Sequence, residues 1–213
     1  MANIPILWKD EHLVVVAKPP RLLVVSAPGR KGRTIADILG QQLGSRVYPV
    51  HRLDEDVTGV LVLARQQSSK AEIESLFKNH EAQRIYLALL SHAPDPVAGR
   101  IESRLREGKD GIVRSVTSGP GDLAITEYQT LRRESRYTLV ECRLQTGRRN
   151  QIRAHMSDLS CPIVGDRKYG FRVRGGPSHP RPLLHAEQLR FDHPMTGESI
   201  HVVTQAPEPE LRR

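Results

Sequence analysis

Cysteine and aromatic residues are scarce in this chain, and it has no long apolar run. Only two of its 213 residues are cysteine. Cys142 and Cys161 lie too far apart for the paired spacing of a zinc site, and two thiols do not make a disulfide framework. The histidines His51, His155, His185 and His193 show neither HxxxH nor HExxH spacing, so no metal is expected. No stretch approaches the roughly 18 apolar residues needed to span a bilayer. The opening MANIPILWKDEH has no basic region followed by an apolar segment and a cleavage site, so no signal peptide is read and a cytoplasmic protein is expected. Hydrophobic residues at 38% and aromatics at 4% fit a soluble, loop-rich globular chain.

What the chain does have is positive charge. Lys and Arg number 32 against 24 Asp and Glu, a formal net charge of +8. That excess favours polyanionic partners, of which nucleic acid is the commonest. Arginine outnumbers lysine, which suits forked, planar contacts with phosphates and bases.

The pattern along the chain alternates short strands with a few helices. Leu13–Ala17 is a β-branched run stopped by Lys18-Pro19-Pro20, a strand followed by a rigid turn. Thr34 is an N-cap candidate for a helix over 34–43, where Ile35, Ile38 and Leu39 share a face. Val60–Ala64 is apolar at every position, as in a strand buried on both faces. Ser69 and Glu72 have capping-box spacing ahead of a helix that ends near His80. Residues 84–90, 124–131, 137–144, 183–191 and 199–204 read as further strands, and 149–159 as a helix. The section between 91 and 122 reads as loop-rich, 171–182 as an exposed basic loop, and 205–213 as a frayed tail. The irregular order predicts an α+β fold around a mixed, largely antiparallel sheet with flanking helices, in one domain over 1–213.

Two clusters can carry chemistry. In HRLDEDVTGVLVLAR, Asp54 follows His51-Arg52 and precedes Glu55 and Asp56. An adjacent arginine favours an ionised carboxylate, which can serve as nucleophile, base or metal ligand. The three acids together also suit Mg²⁺, and a solvated turn with local salt bridges is the plain alternative. In the second cluster, Arg148, Arg149 and Arg153 fall where a helix begins, and Arg149 and Arg153 share a face. Cations there oppose the helix dipole, which is tolerable if an anion binds at that end. A basic solvent-facing surface explains the same residues. Tyr86, inside an apolar strand, reads on its own as a core tyrosine.

In order along the chain, these segments resemble the RluA-type family of RNA pseudouridine synthases. Val14–Lys18 with Pro19 resembles the family's opening strand and Lys-Pro turn, and His51-Arg52-Leu53-Asp54 with Thr58-Gly59 its HRLDxxTSG motif. Arg84-Ile85-Tyr86-Leu87-Ala88 is similar to its KxYxA strand, and Ala124–Tyr128 to an AxTxY strand. Thr146-Gly147-Arg148, Gln151–His155, Pro162–Asp166 and Tyr169-Gly170 resemble its third signature, and Leu184–Ala186 and Phe191–Pro194 complete the series.

The resemblance implies a pseudouridine-synthase-like fold around a central RNA-binding cleft. It implies isomerisation of specific uridines in ribosomal RNA or tRNA stem-loops, by a monomer without cofactor or metal. Asp54 would be the catalytic aspartate, Tyr86 the aromatic residue against the target base, and Arg153 the basic partner of Asp54. Arg52, beside His51, would help fill the gap left by the extruded nucleotide. Arg148, Arg149, Arg172 and Arg174 are the further RNA-binding candidates. Two departures stand out: Val57-Thr58-Gly59 replaces T-S-G, and Arg149-Asn150 replaces T-H. Both spare Asp54, Tyr86 and Arg153, so activity is expected to persist. The match leaves no room for the S4-like domain that precedes it in some relatives. RNA selection is therefore expected from the 100–122 region (Arg104, Arg106, Lys109, Arg114) and the 171–182 loop (Arg172, Arg174, Arg181). A non-catalytic RNA-binding protein and a Mg²⁺-dependent nuclease are the competing readings.

Overall fold

The computed structural model describes residues 3–26, 29, 32–170 and 179–213. In chain order the elements are β1 (Ile6–Lys9), β2 (Leu13–Lys18), α1 (Ile35–Leu43), β3 (Tyr48–Pro49), β4 (Thr58–Ala64) and α2 (Lys70–Lys78). They continue with β5 (Gln83–Leu90), β6 (Ala98–Glu107), β7 (Val113–Val116), β8 (Asp122–Arg133), β9 (Thr138–Leu144) and α3 (Gln151–Asp158). The last are β10 (Leu184–Asp192) and β11 (Ser199–Val203). No helix among the described residues is long and apolar enough to cross a membrane.

The chain groups into two compact units, Met1–Gln83 with Ala186–Gln205, and Arg84–His185 with Ala206–Arg213. In the first unit the strand order is β1-β2-β4-β10, with β3 on β4 and β11 on β10. The ladders of β1 with β2, β2 with β4, β3 with β4 and β10 with β11 are antiparallel. All seven residues of β4 are buried, as its unbroken apolar run predicts. Leu13, Val15, Val60 and Val62 pack with Ile73 and Phe77 of α2 and with Leu189 and Phe191 of β10. Where β4 begins, Gly59 has φ +117°, and a Cβ there would collide with the Ala186 backbone. Only glycine meets both conditions.

Thr34 caps α1 as expected, in a reciprocal box with Asp37. Ser69 does not form the box expected of it: its hydroxyl points back to the carbonyls of His12 and Gln66, both 3.3 Å away. Tertiary anchoring of the chain entering α2 has displaced the local cap.

The second unit has the order β5-β9-β8-β6-β7, every ladder antiparallel. The stretch read as loop-rich contains the hairpin of β6 and β7. Its sequence hides it, because β6 alternates exposed with half-buried residues and buries only Leu105. Pairing along β8 supplies what an apolar face does not.

The end of the chain is also a correction. Residues 205–213 do not fray: Leu211 is fully buried with Leu87, Leu89, Leu139, Val164, Leu183 and Ala206. Arg213 Nη2 lies 2.5 Å from Glu141 Oε2. Arg181, expected in an exposed basic loop, is 4% exposed and forks onto Glu208 through Nε (3.2 Å) and Nη2 (2.5 Å). In APEPELRR one leucine carries the packing, too sparse a signal for a pattern to register. Leu211→Ala should cost about 2–4 kcal/mol of stability, the range for emptying a buried leucine site. Urea unfolding measures it, and an unchanged midpoint would return the segment to a frayed tail.

Candidate active site

The loop between β3 and β4 is tied down at several points within the first unit. Leu53 and Val57 are buried on either side of Asp54, Glu55 and Asp56, which are half-buried. Lys18, at the end of β2, is 2% exposed. Its Nζ donates to the carbonyls of Pro19 (2.9 Å), Glu55 (2.8 Å) and Val57 (2.8 Å). The Glu55 carbonyl also accepts from Leu22 N–H at 3.2 Å, and Val57 N–H closes a turn onto the Asp54 carbonyl at 3.1 Å. A buried ammonium is costly unless hydrogen-bonded, and these carbonyls meet that requirement. The main chain from Asp54 to Val57 is thereby held.

His51 adds a second anchor. Its Nε2 accepts from Val62 N–H at 2.9 Å, and its ring stacks on Phe77 with centroids 4.0 Å apart. The ring thus supports the loop from below, whereas Arg52 is exposed. Among the described residues no three His, Cys, Asp or Glu side chains assemble as a metal site would require.

Tyr86, Arg153, Arg148 and Arg149 belong to the second unit. Tyr86 is 9% exposed in the middle of β5, opposite Cys142 of β9. Burial pushes the Cys142 thiol up to about 12, so it stays a packing residue. Arg153, in α3, is held bidentately by Asp166: Nε to Oδ2 at 2.6 Å and Nη2 to Oδ1 at 2.8 Å. Its Cζ lies 4.8 Å from the centroid of the Tyr169 ring. The Tyr169 hydroxyl accepts from Val113 N–H (3.0 Å) and donates to Asn150 Oδ1 (3.1 Å). Asp166 and Tyr169 were legible only as parts of a resemblance. The available signal was their spacing, an acid and an aromatic three residues apart across one 3-10 turn, beyond a helix bearing an arginine.

The helix opens later than expected. Arg148 and Arg149 precede α3, and Asn150 sits before it with φ 53°. Arg149 pairs with Glu107, and Arg148 Nε donates to the Leu123 carbonyl at 3.0 Å. Gln151 closes the helix start: its Oε1 accepts from Thr146 Oγ1 (2.7 Å) and Arg148 N–H (2.9 Å), while its Nε2 donates to Thr126 Oγ1 at 2.9 Å.

From Thr126 a chain of hydrogen bonds crosses under the helix. Thr126 Oγ1 meets His155 Nδ1 at 2.9 Å, and His155 Nε2 meets Ser103 Oγ at 3.1 Å. Ser103 Oγ lies 2.9 Å from Ser115 Oγ, which donates to Asp158 Oδ2 at 2.5 Å. One consistent set of protons runs from Gln151 to Asp158 with His155 neutral and protonated on Nε2. Burial pulls His155 down to about 4, against a small opposing pull from Asp158.

Of the other RNA-binding candidates, Arg114 is engaged by Asp110 at 2.6 Å and Arg104 Nη1 by the Gly121 carbonyl at 3.0 Å. Arg172 and Arg174 lie outside the described residues.

The antiparallel sheets and flanking helices make this an α+β protein, with a half-buried carboxylate on a held loop in the first unit and a forked arginine on α3 in the second. The family model for RNA pseudouridylate synthase matches residues 12–158, and the chain belongs to that family. It is 34% identical to the ribosomal large subunit pseudouridine synthase D of Xylella fastidiosa, over 95% of this chain and 66% of that protein. It is also 34% identical to tRNA pseudouridine synthase C of Vibrio cholerae, over 92% of this chain and 88% of that one. The solved structure of human RNA pseudouridylate synthase domain containing 4 superposes with a TM-score of 0.77 at 30% identity, covering 95% of this chain and 88% of the other.

Two predictions follow from the anchors. Lys18→Met should free the loop, and trypsin should then cut after Arg52 at least about tenfold faster, because hydrogen bonds to a charged group contribute about 1.5–3 kcal/mol each. Mass spectrometry of native digests reads the rate, and an unchanged rate would remove Lys18 from that role. The second concerns acid. His155 is neutral in the folded chain down to about 4 but in the unfolded chain only down to about 6.5. Between these values the unfolded chain takes up a proton the folded one refuses, so stability falls as pH drops through that window. The loss is on the order of 3 kcal/mol. Urea unfolding at pH 7 and pH 4 should show His155→Gln losing less on acidification than the parent chain. Equal losses would contradict the neutral buried imidazole.

Proposed function

We propose that this chain is an RNA pseudouridine synthase acting on uridines of structured RNA, large-subunit ribosomal RNA or tRNA, with Asp54 as its catalytic residue. The observation that carries the reading is the Asp54 loop itself. A half-buried carboxylate stands between the buried Leu53 and Val57, the main chain just after it held by Lys18, inside the segment that matches the family model. That is the preorganisation a reacting carboxylate needs.

The chemistry follows from the substrate. A stacked uridine cannot be reached, so it is flipped out at a cost of a few kcal/mol, offset by contacts in the pocket. The N1–C1′ bond breaks, the freed uracil turns, and C5 rejoins C1′ while the C5 proton leaves. Tyr86 stands against the base and Arg153 is the basic partner of Asp54. The exposed Arg52 fills the vacated stack, and Arg148 and Arg149 contact RNA. Asp166 holds the Nε–Nη2 edge of Arg153 in place for its task. The chain works as one catalytic domain, as a cytoplasmic monomer, and needs no metal.

Purified protein should release tritium from RNA labelled at uridine C5, with and without EDTA. Asp54→Asn should lower release by at least about 10³-fold, the scale on which removal of an activated nucleophile acts, while RNA binding changes little. Normal release from that variant would overturn the site. Binding by the parent chain without release would make it an RNA-binding protein only.

A further inference from the structure

Arg84 is a buried cation that serves neither the Asp54 loop nor the support of Arg153. It lies on β5 two residues before Tyr86, so the two side chains project from the same face of the strand. It is 8% exposed, and its Nε and Nη2 atoms are out of contact with solvent and without a hydrogen-bond partner among the described residues. Burial lowers its pKa from the usual arginine value, with Tyr86 opposing. A guanidinium nonetheless stays charged in proteins.

The chain makes room for this group. Gly147 has no left-handed backbone to explain it, but a Cβ there would collide with Nη1 of Arg84. Arg153 offers a comparison within the same unit. Its Nε–Nη2 edge is paired with the two oxygens of Asp166, whereas the same edge of Arg84 has no acceptor among the described residues. Two buried N–H groups left without an acceptor are unfavourable, so an acceptor is missing on that edge. An RNA phosphate stays at the surface in water. The part of a nucleotide that enters a protein interior is the flipped base.

Resting on the pseudouridine synthase reading, we infer that Arg84 is a further catalytic residue, whose unpaired Nε–Nη2 edge receives the flipped uracil and stabilises it as an anion. When N1–C1′ breaks, the bonding pair leaves with uracil and spreads from N1 onto O2. Arg84 holds that charge while the ring turns. C5 then supplies a pair to C1′, the C5 proton passes to water, and N1 takes up a proton, so the product is neutral. Donors fixed against a developing anion act far more strongly in a dry site than in water.

The test is single-turnover tritium release from C5-labelled ribosomal and transfer RNA transcripts. Arg84→Met should slow release at saturating RNA by about 10²–10³-fold, the effect of losing one anion-stabilising donor. Its RNA affinity and salt dependence should stay near those of the parent, and its melting temperature should not fall. Arg84→Lys, which keeps the charge and loses the fork, should recover part of the rate. In transcripts containing 5-fluorouridine the departing ring is a better leaving group, so the Arg84→Met defect, read as loss of 5-fluorouridine by mass spectrometry, should shrink. An Arg84→Met rate equal to the parent's, or a defect of the same size on both substrates, would overturn the assignment. A drop in affinity with a shallower salt slope would instead assign Arg84 to a phosphate. A parent chain that releases no tritium at all would overturn the function itself.

Discussion

One buried ammonium organises the first unit. Lys18 ends a strand whose residues Leu13 to Val16 are wholly buried, so its Cα is as rigid as anything in the chain. Its Nζ reaches the carbonyls of Glu55 and Val57, just after Asp54 in the loop. The arrangement ties the loop to a buried strand through polar contacts. Carbonyl acceptors suit this purpose better than a carboxylate would. They compensate the desolvated charge, yet bring no second anion close to Asp54.

The second unit solves a related problem with a different device. Arg153 stands on a short helix of eight residues, whose N-cap position, Asn150, makes no side-chain cap. A helix so short gains little stability of its own. Gln151, His155 and Asp158 instead tie successive turns of α3 to Thr126, Ser103 and Ser115 on the strands beneath it. Asp166 and Tyr169 then fix the Arg153 side chain on the helix so held. A half-satisfied network would be worse than an apolar contact, and this one is closed along its length.

These supports mark the border of what sequence reading could reach. β2 and β4 announce themselves, because a strand buried on both faces reads as a nearly continuous apolar run. β6 does not, since its pairing partner stabilises it and its own residues are charged. Asp54 stands out as a carboxylate beside arginine, and Tyr86 only through the resemblance. Asp166 escapes because the fact that matters, its fork onto Arg153, joins residues 13 positions apart across a turn. Arg181 misleads for the same reason: charge at 171–182 looks solvent-bound until Glu208 closes on it. Local pattern reports burial and backbone state, whereas long-range pairing of polar groups leaves no periodic trace.

The same distinction resolves the surplus acids. Glu55 and Asp56 beside Asp54 look like a metal-binding triplet when only side chains are counted. Position 55 contributes its main-chain carbonyl, which takes hydrogen bonds from both Lys18 and Leu22. Any residue supplies that carbonyl, provided the loop keeps its path. The main chain at 55 thus serves the loop's path whatever its side chain does. A second carboxylate beside Asp54 is acceptable only while the two do not share one site, because clustered like charges raise a carboxylate's pKa. A loop whose shape depends on carbonyls can vary at the residues beside Asp54 without moving Asp54 itself.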